Sequence, residues 1–391
     1  MQTQENYIIS LVRSVLKGEP VPPMPHDLDI DALIKTATQM SLKYVCEYAL
    51  ESLPELPEGC RTQFIKDRQF RTYREAVGHH AVNALFAELS KQGFDVLPLK
   101  GYWIKELYPM QYMRTMGDLD ILVREEQYEE VKRFLTAKGM KTVSEGEEIH
   151  HSILTSKEIG VLELHHRLTF KPVTGKAFFN VWPRLLQSDT DKHLYRMCHE
   201  DFLAHHIYHM YKHFVGSGAG IRPIIDAWIY LEKHGGNMDL DLLGERLDML
   251  KLRSFADCVF RLGRVWMNGE EHTENTRRLE EVTLSMGCYG SQSSSNEISM
   301  ALEHESDSKL GFALKKLFPP LKFMQERNPV LVKAPVLLPL FWVIRIFQML
   351  FSGRSRGYAK AFGNTSSHNV ETLRVLKKEL KLPKLPWKEL D

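Results

Sequence analysis

The sequence has few cysteines and no segment with the character of a secretory signal. Five cysteines occur among 391 residues, far apart and without a CxxC pair. An odd number of scattered cysteines is typical of a reduced compartment rather than of a disulfide-linked secreted domain. Near the N-terminus, Arg13 and Lys17 interrupt the apolar residues that a signal peptide would keep together. We therefore expect a cytoplasmic protein.

The chain also lacks an excess of charge of either sign. It has 51 Lys and Arg residues against 50 Asp and Glu residues, a net charge of +1. This balance argues against a nucleic-acid coat and against nucleic acid as a partner. With 43% hydrophobic and 26% charged residues, the composition is that of a globular protein, and the length predicts two or three domains.

The apolar run at 334–344 is too short to cross a bilayer. It is 11 residues long and contains two prolines, whereas a spanning helix needs about 18–20 residues. We expect a buried helix here. Contact with a membrane surface is the alternative interpretation, which is not favoured, and it leaves a lipid-linked acceptor open.

Hydrophobic periodicity divides the chain into four parts. Helical spacing predicts an N-terminal helical region, 1–79, and a C-terminal helical domain, 193–352, followed by a tail, 353–391. Between them, 80–192 alternates short apolar segments with helical ones, which predicts an α+β domain: a small mixed β-sheet with helices. The predicted strands are 94–99, 118–123, 141–143, 149–154 and 161–165. The Gly- and Ser-rich stretch 287–296 predicts a loop.

The motif MGDLDILV, 116–123, gives the sharpest chemical signal. Asp118 and Asp120 are two residues apart, so on a strand they point to the same face. Two carboxylates at the start of an apolar strand are costly unless a cation offsets their charge, and Mg²⁺ prefers oxygen ligands of this kind. Gly117 allows the backbone to bend just before the pair. The alternative is a turn followed by an exposed strand.

A possible phosphate turn precedes this motif. In LPLKG, 97–101, a predicted strand ends at Lys100 and Gly101, and a helix follows. Backbone amides at a helix start can hold phosphate oxygens, and Lys100 adds a positive charge there. Arg114 lies four residues before Asp118, where it could contact a phosphate or neutralise the acids. An ordinary salt bridge is the alternative for Arg114.

A third carboxylate lies on the last predicted strand, in VLELHHRL, 161–168. Glu163 and His165 share one face of this strand, and His165 could orient Glu163. Glu163 would complete a metal site with the two aspartates or act as a base on an acceptor hydroxyl. The alternative is an edge strand with Glu163 in water. Together these groups indicate metal-assisted phosphoryl or nucleotidyl transfer.

The stretch 97–140 resembles a family of uncharacterised nucleotidyltransferases with an LKG turn and an R-x-x-G-D-x-D block. That family is similar to a branch of the polymerase-β-like nucleotidyltransferase superfamily. Four later segments fit the same resemblance, which covers about 80–235: IHHSIL, VLELHHRL, HEDFLAHHIYHMYKHF and IRPIIDAWIYL. The superfamily usually has Gly-Gly or Gly-Ser in the phosphate turn, where this chain has Lys100-Gly101.

The resemblance implies an activity and a set of site residues. It implies transfer of a nucleotidyl group from an NTP, ATP among them, with Mg²⁺ or Mn²⁺ as the cofactor. Asp118, Asp120 and Glu163 are then the catalytic and metal-binding acids. The nucleotide-binding residues are Lys100, Gly101, Arg114 and Gly117. The acceptor stays open: a small molecule, a glycan, a peptide or a protein.

Further residues are predicted to line the substrate side of the cleft. They are His151, His165, Lys212, His213, Arg222 and Asp226. The predicted helix at 199–213 also contains His205, His206 and His209. We interpret its histidines as a polar or partly buried helix face rather than as a zinc site, because no cysteine or HExxH pattern accompanies them.

Two rival functions use the same residues. A kinase-like enzyme would move a γ-phosphoryl group at the same metal site and release a nucleoside diphosphate instead of pyrophosphate. A catalytically silent binding module, regulatory or antitoxin-like, would bind a nucleotide or a protein without turnover. The intact set of three acids argues against the second alternative.

Overall fold

The computed structural model describes residues 4–144, 151–168, 178, 180–286, 292–302, 308–351 and 363–383. The chain divides into two compact units. The first contains Met1–His209 and Ile221–Thr276, and the second contains Met210–Gly220 and Arg277–Asp391.

The first unit begins with helices whose apolar residues recur at helical spacing. These helices are α1 (Gln4–Lys17), α2 (Ile30–Gln39), α3 (Lys43–Glu51) and α4 (Glu58–Lys91). Asp29 caps α2 by accepting a hydrogen bond from the Ala32 amide. The periodic pattern that spans α2 and α3 is interrupted at Ser41, whose φ of 57° does not allow α2 to continue into α3.

A five-stranded mixed sheet follows α4. Its strands are β1 (Val96–Pro98), β2 (Asp118–Val123), β3 (Lys141–Ser144), β4 (His151–Ser156) and β5 (Gly160–His165), in the order β1-β2-β5-β4-β3. Strands β2 and β5 are parallel, and the other neighbours are antiparallel. The α+β class expected from the sequence is confirmed. Residues 149–150 of the fourth predicted strand lie outside the described residues.

The two faces of the central strands differ in chemistry. Leu119, Ile121 and Val123 of β2 belong to a buried core with Leu162 and Leu164 of β5. The helices α4 and α6 (Tyr128–Ala137) supply further apolar side chains to this core. Because side chains alternate along a strand, Asp118 and Asp120 of β2 and Glu163 and His165 of β5 lie on the opposite face.

The remaining elements of the first unit are mostly helical. A short helix, α5 (Gly101–Ile104), follows β1, and β6 (Leu186–Gln187) pairs with β7 (Tyr195–Arg196). Then come α7 (His199–Gly216), whose last residues enter the second unit, α8 (Arg222–His234), α9 (Leu240–Met249) and α10 (Arg253–Asn268). Single 3-10 turns cover Lys105–Leu107, Gln111–Met113, Glu125–Gln127, Trp182–Arg184 and Gly235–Asn237.

The second unit is helical throughout its described part. Its elements are α11 (Glu274–Met286, which starts in the first unit), α12 (Gln292–Leu302), α13 (Lys309–Leu317), α14 (Leu321–Arg327), α15 (Val330–Lys333), the 3-10 turn Pro335–Leu337, α16 (Leu338–Phe351) and α17 (Ser367–Glu379). Helix α17 packs against α12, and Leu373 and Leu376 of α17 are fully buried.

Three expectations for the second unit differ from the structure. The Gly- and Ser-rich stretch predicted as a loop contains the start of α12, and the predicted tail contains the packed helix α17. Helix α16 forms where the apolar run lies, but it is not buried: Leu340 and Phe347 are each 54% exposed. Apolar composition predicts that a segment is buried, but it does not indicate which face of the helix packs against another element. Among the described residues, no helix is long and apolar enough to cross a membrane.

Candidate active site

Two carboxylates face each other across the parallel pair of strands. Asp120 of β2 is directly opposite Glu163 of β5 in the sheet register. Asp120 is buried and Glu163 is half-buried. Two acids in adjacent positions on one face repel each other, so neighbouring cations or hydrogen-bond donors must stabilise them.

His165 lies between these two acids. Its Nε2 atom is 3.0 Å from Asp120 Oδ1 and 3.4 Å from Glu163 Oε2. One ligand atom from each of the three residues lies within 4.8 Å of the others, a spacing that a single cation can bridge. Carboxylate oxygens suit Mg²⁺ and Mn²⁺, and an imidazole nitrogen is a further donor for Mn²⁺. The donor set therefore fits a divalent cation.

The electrostatics of the two acids follow from these contacts. Burial opposes ionisation of Asp120, but the charge of Lys100 and the hydrogen bond with His165 outweigh it, so its pKa lies well below the usual range. The pKa of Glu163 is also lowered, chiefly by its hydrogen bond with His165. Both side chains therefore stay ionised at neutral pH.

Asp118 has the opposite electrostatic character. It occupies the exposed first position of β2. Burial of its carboxyl, followed by the charges of Asp120 and Glu163, raises its pKa. The structure thus brings the three predicted acids within electrostatic range of one another. The ionised form of Asp118 is therefore less favourable than that of a free aspartate.

The turn after β1 supplies the positive charge of the site. Lys100 Nζ lies 3.1 Å from Asp120 Oδ1. The backbone of Lys100 has a φ of 39° and a ψ of −106°, a conformation that residues with a β-carbon rarely adopt. Lys100 therefore has an unfavourable backbone conformation next to Asp120, a candidate metal ligand.

Gly101 is needed for space rather than for backbone freedom. A β-carbon at Gly101 would lie 2.5 Å from Arg114 Nη1 and 2.9 Å from Met116 Sδ. Gly117, by contrast, has no positive φ, and a β-carbon there would meet nothing within 4 Å. The sharp bend expected at Gly117 does not require glycine, and the positive φ is found at Lys100 instead.

Arg114 contacts an acid other than the two aspartates of β2. Arg114 Nη2 donates to Asp226 Oδ2 at 2.8 Å, and Tyr108 donates to Asp226 Oδ1 at 2.8 Å. Asp226 is only 1% exposed. Arg114 therefore forms the ordinary salt bridge that the sequence left as the alternative. Asp226 was expected to line the substrate cleft, but its carboxylate is buried against two hydrogen-bond donors.

The other predicted cleft residues lie in different places. Arg222 is buried at the start of α8, where its Nη1 donates to the Thr115 carbonyl 3.2 Å away and so holds the segment before β2. His151 Nε2 of β4 lies 3.9 Å from Glu163 Oε2. Lys212 and His213 belong to the second unit, and their role stays a prediction.

Sequence reasoning assigned no individual role to two buried residues of this region. Tyr108, in the segment after α5, donates to Asp226, and no motif marks it. His205 of α7 is fully buried, and burial together with the charge of Lys100 lowers its pKa to about 3. The histidine-rich run in α7 was the available signal. His206 Nε2 donates a hydrogen bond to the Pro223 carbonyl at 2.9 Å, which fits the interpretation as a satisfied helix face.

A small mixed sheet that presents Asp118, Asp120 and Glu163 on its non-core face, beside a Lys-Gly turn, defines an α+β protein of the nucleotidyltransferase type. A family model described as "Uncharacterised nucleotidyltransferase" matches residues 26–268, and the chain belongs to this family. The resemblance drawn from the sequence is therefore confirmed, and the match extends well beyond the sheet. Comparisons with curated proteins and with solved structures found no match.

Proposed function

We propose that this protein transfers a nucleoside monophosphate from an NTP to a hydroxyl or phosphate acceptor, in a reaction that depends on Mg²⁺ or Mn²⁺ and releases pyrophosphate. The observation that carries this proposal is the pairing of Asp120 with Glu163 across β2 and β5, with Asp118 two residues away on the same face. Three acids in this arrangement form a site of concentrated negative charge, which is the environment that two-metal phosphoryl chemistry requires.

Asp118, Asp120 and Glu163 would hold the divalent cations. The donor set supports this assignment for Asp120 and Glu163, because their ligand atoms and that of His165 lie within 4.8 Å of one another. Asp118 is proposed from its position two residues from Asp120 on the same face of β2. When bound, such cations align the attacking and leaving oxygens and offset the charge that develops on the phosphoryl group. The raised pKa of Asp118 fits a carboxylate whose charge is in excess without a cation.

The turn at Lys100 and Gly101 would hold the triphosphate. Lys100 carries its ammonium on a flexible stem, so the group can leave Asp120 and contact a phosphate oxygen. Gly101 lets Arg114 and Met116 pack closely against this turn, because a β-carbon would lie 2.5 Å from Arg114 Nη1 and 2.9 Å from Met116 Sδ. Arg114, paired with Asp226, would position the turn through this packing, and Gly117 is the remaining nucleotide-binding candidate.

The chain also offers groups for the acceptor. Glu163 can either complete the metal site or accept the proton of an acceptor hydroxyl, and His165 orients it through the 3.4 Å contact. His151 and Arg222 are the further candidates on the acceptor side. Asp226 would act indirectly, by holding Arg114.

Nucleotide binding tests this proposal without knowledge of the acceptor. Binding of each of the four common NTPs is measured by calorimetry, with and without Mg²⁺, for the native chain and for Asp118→Ala. A matched control is Asp248→Asn, which removes an acid on α9 that is 62% exposed and paired with Arg253. We expect Mg²⁺-dependent binding that is lost in Asp118→Ala and kept in the control.

The outcomes separate the rival functions. Absence of binding for every NTP at high micromolar concentration contradicts the proposal and favours a silent binding module. Where an NTP binds and is turned over, pyrophosphate identifies nucleotidyl transfer, and a nucleoside diphosphate identifies the kinase-like alternative.

A further inference from the structure

Helix α16 of the second unit presents an apolar face to solvent. Leu340, Val343, Ile344 and Phe347 are between 39% and 54% exposed. They are spaced at i, i+3, i+4 and i+7, which places them on one side of the helix. The other side contacts the preceding segment, since Trp342 Nε1 donates to the Pro319 carbonyl at 2.9 Å. Helix α16 is therefore fixed on one side, with a continuous apolar stripe on the other.

The apolar exposure extends beyond α16. The elements that precede it, from α13 to the 3-10 turn before α16, expose further large apolar side chains: Leu314, Phe318, Val330, Val332 and Val336, of which Val336 is 83% exposed. Single exposed apolar residues are normal, whereas a concentration within one short stretch indicates a surface that is covered by something else. We call residues 308–351 the apolar-basic segment.

The charge of this segment differs from that of the chain as a whole. The chain carries a net charge of +1, yet the apolar-basic segment has five lysines and two arginines against one acid, Glu326. The exposed cations among them are Lys315, Lys316, Lys322, Arg327 and Lys333. The sequence that follows, 352–362, adds Arg354, Arg356 and Lys360 and no acid.

This combination favours a lipid surface over other occupants. A second copy of the same segment would bring like charges together, which disfavours self-association. Helix α16 has 14 residues, a length of about 21 Å, and therefore cannot span a hydrocarbon core of about 30 Å. A helix of this kind instead lies in the plane of the interface, with apolar side chains inserted and basic side chains near anionic headgroups.

We propose that the apolar-basic segment is a peripheral membrane-binding surface that recognises anionic lipid. The apolar stripe of α16 inserts into the interface, and the exposed lysines pair with acidic headgroups. This inference is independent of the nucleotidyl-transfer proposal, because it rests only on residues of the second unit.

Vesicle flotation of the full chain tests the surface. The probes are vesicles of phosphatidylcholine alone and vesicles in which part of it is replaced by phosphatidylserine. We expect binding to the anionic vesicles, weaker binding to the neutral ones, and loss of binding as salt rises from about 0.1 M to about 1 M. Equal binding to both vesicle types, or binding to neither, overturns the proposal.

Two variants locate the contact. Val343→Asp combined with Phe347→Asp places charges on the inserted stripe and should weaken vesicle binding at least about tenfold. Lys315→Ala, Lys322→Ala and Lys333→Ala together should weaken it by on the order of 100-fold, about fivefold for each lysine. The matched control is Tyr73→Asp on α4 of the first unit, an apolar position that is 67% exposed, which should bind as the native chain does.

A folding control and two further outcomes decide whether the proposed membrane-binding surface is correct. An unchanged melting temperature and an unchanged circular dichroism spectrum show that a variant is folded, so weak vesicle binding then reports the surface itself. Vesicle binding that survives in both variants contradicts the proposal. So does a concentration-dependent dimer that the Val343→Asp, Phe347→Asp variant abolishes while no vesicle binds, because that result identifies an interface between copies of the chain.

Discussion

Two buried aspartates of the first unit have different kinds of partners. Asp226 is held by the guanidinium of Arg114 and the hydroxyl of Tyr108, both at 2.8 Å. Asp120 is held by the ammonium of Lys100 and the imidazole of His165, at 3.1 and 3.0 Å. In both cases the partners outweigh burial and lower the pKa of the carboxyl.

The difference lies in what surrounds each pair. Arg114 and Tyr108 are themselves buried, so the Asp226 network is closed and can serve only to fix Arg114 under the turn. The Asp120 network adjoins two more acids, Glu163 and Asp118, whose charges it does not fully offset. A closed network stabilises the fold, whereas a network with excess negative charge can exchange a side-chain cation for a metal ion.

The largest expected effect is on catalysis, from Asp118→Asn. This change removes a ligand of the proposed metal site, so we expect turnover to fall by at least about 10²–10³-fold. Stability should change little or increase, because the raised pKa of Asp118 means that ionisation of this group disfavours the folded state. The rate of product formation measures turnover, and urea unfolding measures stability. Turnover that survives the substitution would make the site assignment wrong.

Asp226→Ala should produce the largest loss of stability. It leaves the Arg114 guanidinium buried without its carboxylate, which costs about 3–5 kcal/mol of unfolding free energy. The pair of substitutions Arg114→Met and Asp226→Leu should recover most of that loss, since neither charge of the ion pair remains. Urea unfolding of the three proteins is the measurement. An equal loss from Asp118→Ala would remove the distinction between the two networks.

Gly101→Ala tests how rigidly the Asp226 network holds Arg114. A β-carbon there would lie 2.5 Å from Arg114 Nη1, and the ion pair with Asp226 prevents the guanidinium from moving freely. We expect a loss of about 1–3 kcal/mol in unfolding free energy. Gly117→Ala is the control, because its β-carbon meets nothing within 4 Å and should leave stability nearly unchanged. Similar results for both variants would show that Arg114 yields easily.

The smallest expected effect is the pH dependence of stability that comes from His205, which is next to His206 on α7. The charge of Asp120 acts on His205, and that of Asp226 acts on His206. Burial lowers the pKa of His205 to about 3 from an unfolded value of about 6.5, so His205 stays neutral in the fold. Stability from this neutral form is complete above pH 6.5 and falls by about 1.4 kcal/mol for each pH unit below it.

Replacement of His205 removes this dependence. The difference in unfolding free energy between the native chain and His205→Gln should shrink by about 1 kcal/mol when the pH falls from about 7.5 to about 5.5. His26→Gln, at an exposed position, provides the comparison and should show a constant difference. If the difference in unfolding free energy for His205→Gln is also constant with pH, then folding does not change the proton affinity of His205, which contradicts the prediction.

The local part of this structure could be predicted from the sequence. Strand β2 was predicted at its observed bounds, because acidic and apolar residues alternate from Asp118 to Ile121 and the apolar run continues to Val123. The alternation in β5 grouped Glu163 with His165 on one face, as the structure has them. Local periodicity determines which residues share a face, and this was sufficient to place the three acids on the non-core face of their strands.

The nonlocal part could not be predicted from the sequence. Arg114 and Asp226 are 112 residues apart, and no pattern in either segment indicates the other. The apolar run in α16 was expected to be buried, but composition does not encode which of its faces another element covers. The backbone of Lys100 is likewise set by its surroundings, since nothing in LPLKG marks lysine rather than glycine as the residue with positive φ.

The conformation of Lys100 has implications for how this turn evolves. A glycine adopts a φ of 39° at little cost, whereas a lysine does so against its conformational preference. Selection for a well-folded chain alone would favour glycine at this position, as in the Gly-Gly turns of the wider superfamily. The lysine found there indicates that its charge beside Asp120 outweighs the conformational penalty, so directed evolution for thermal stability should reach position 100 early and reduce nucleotide binding when it does.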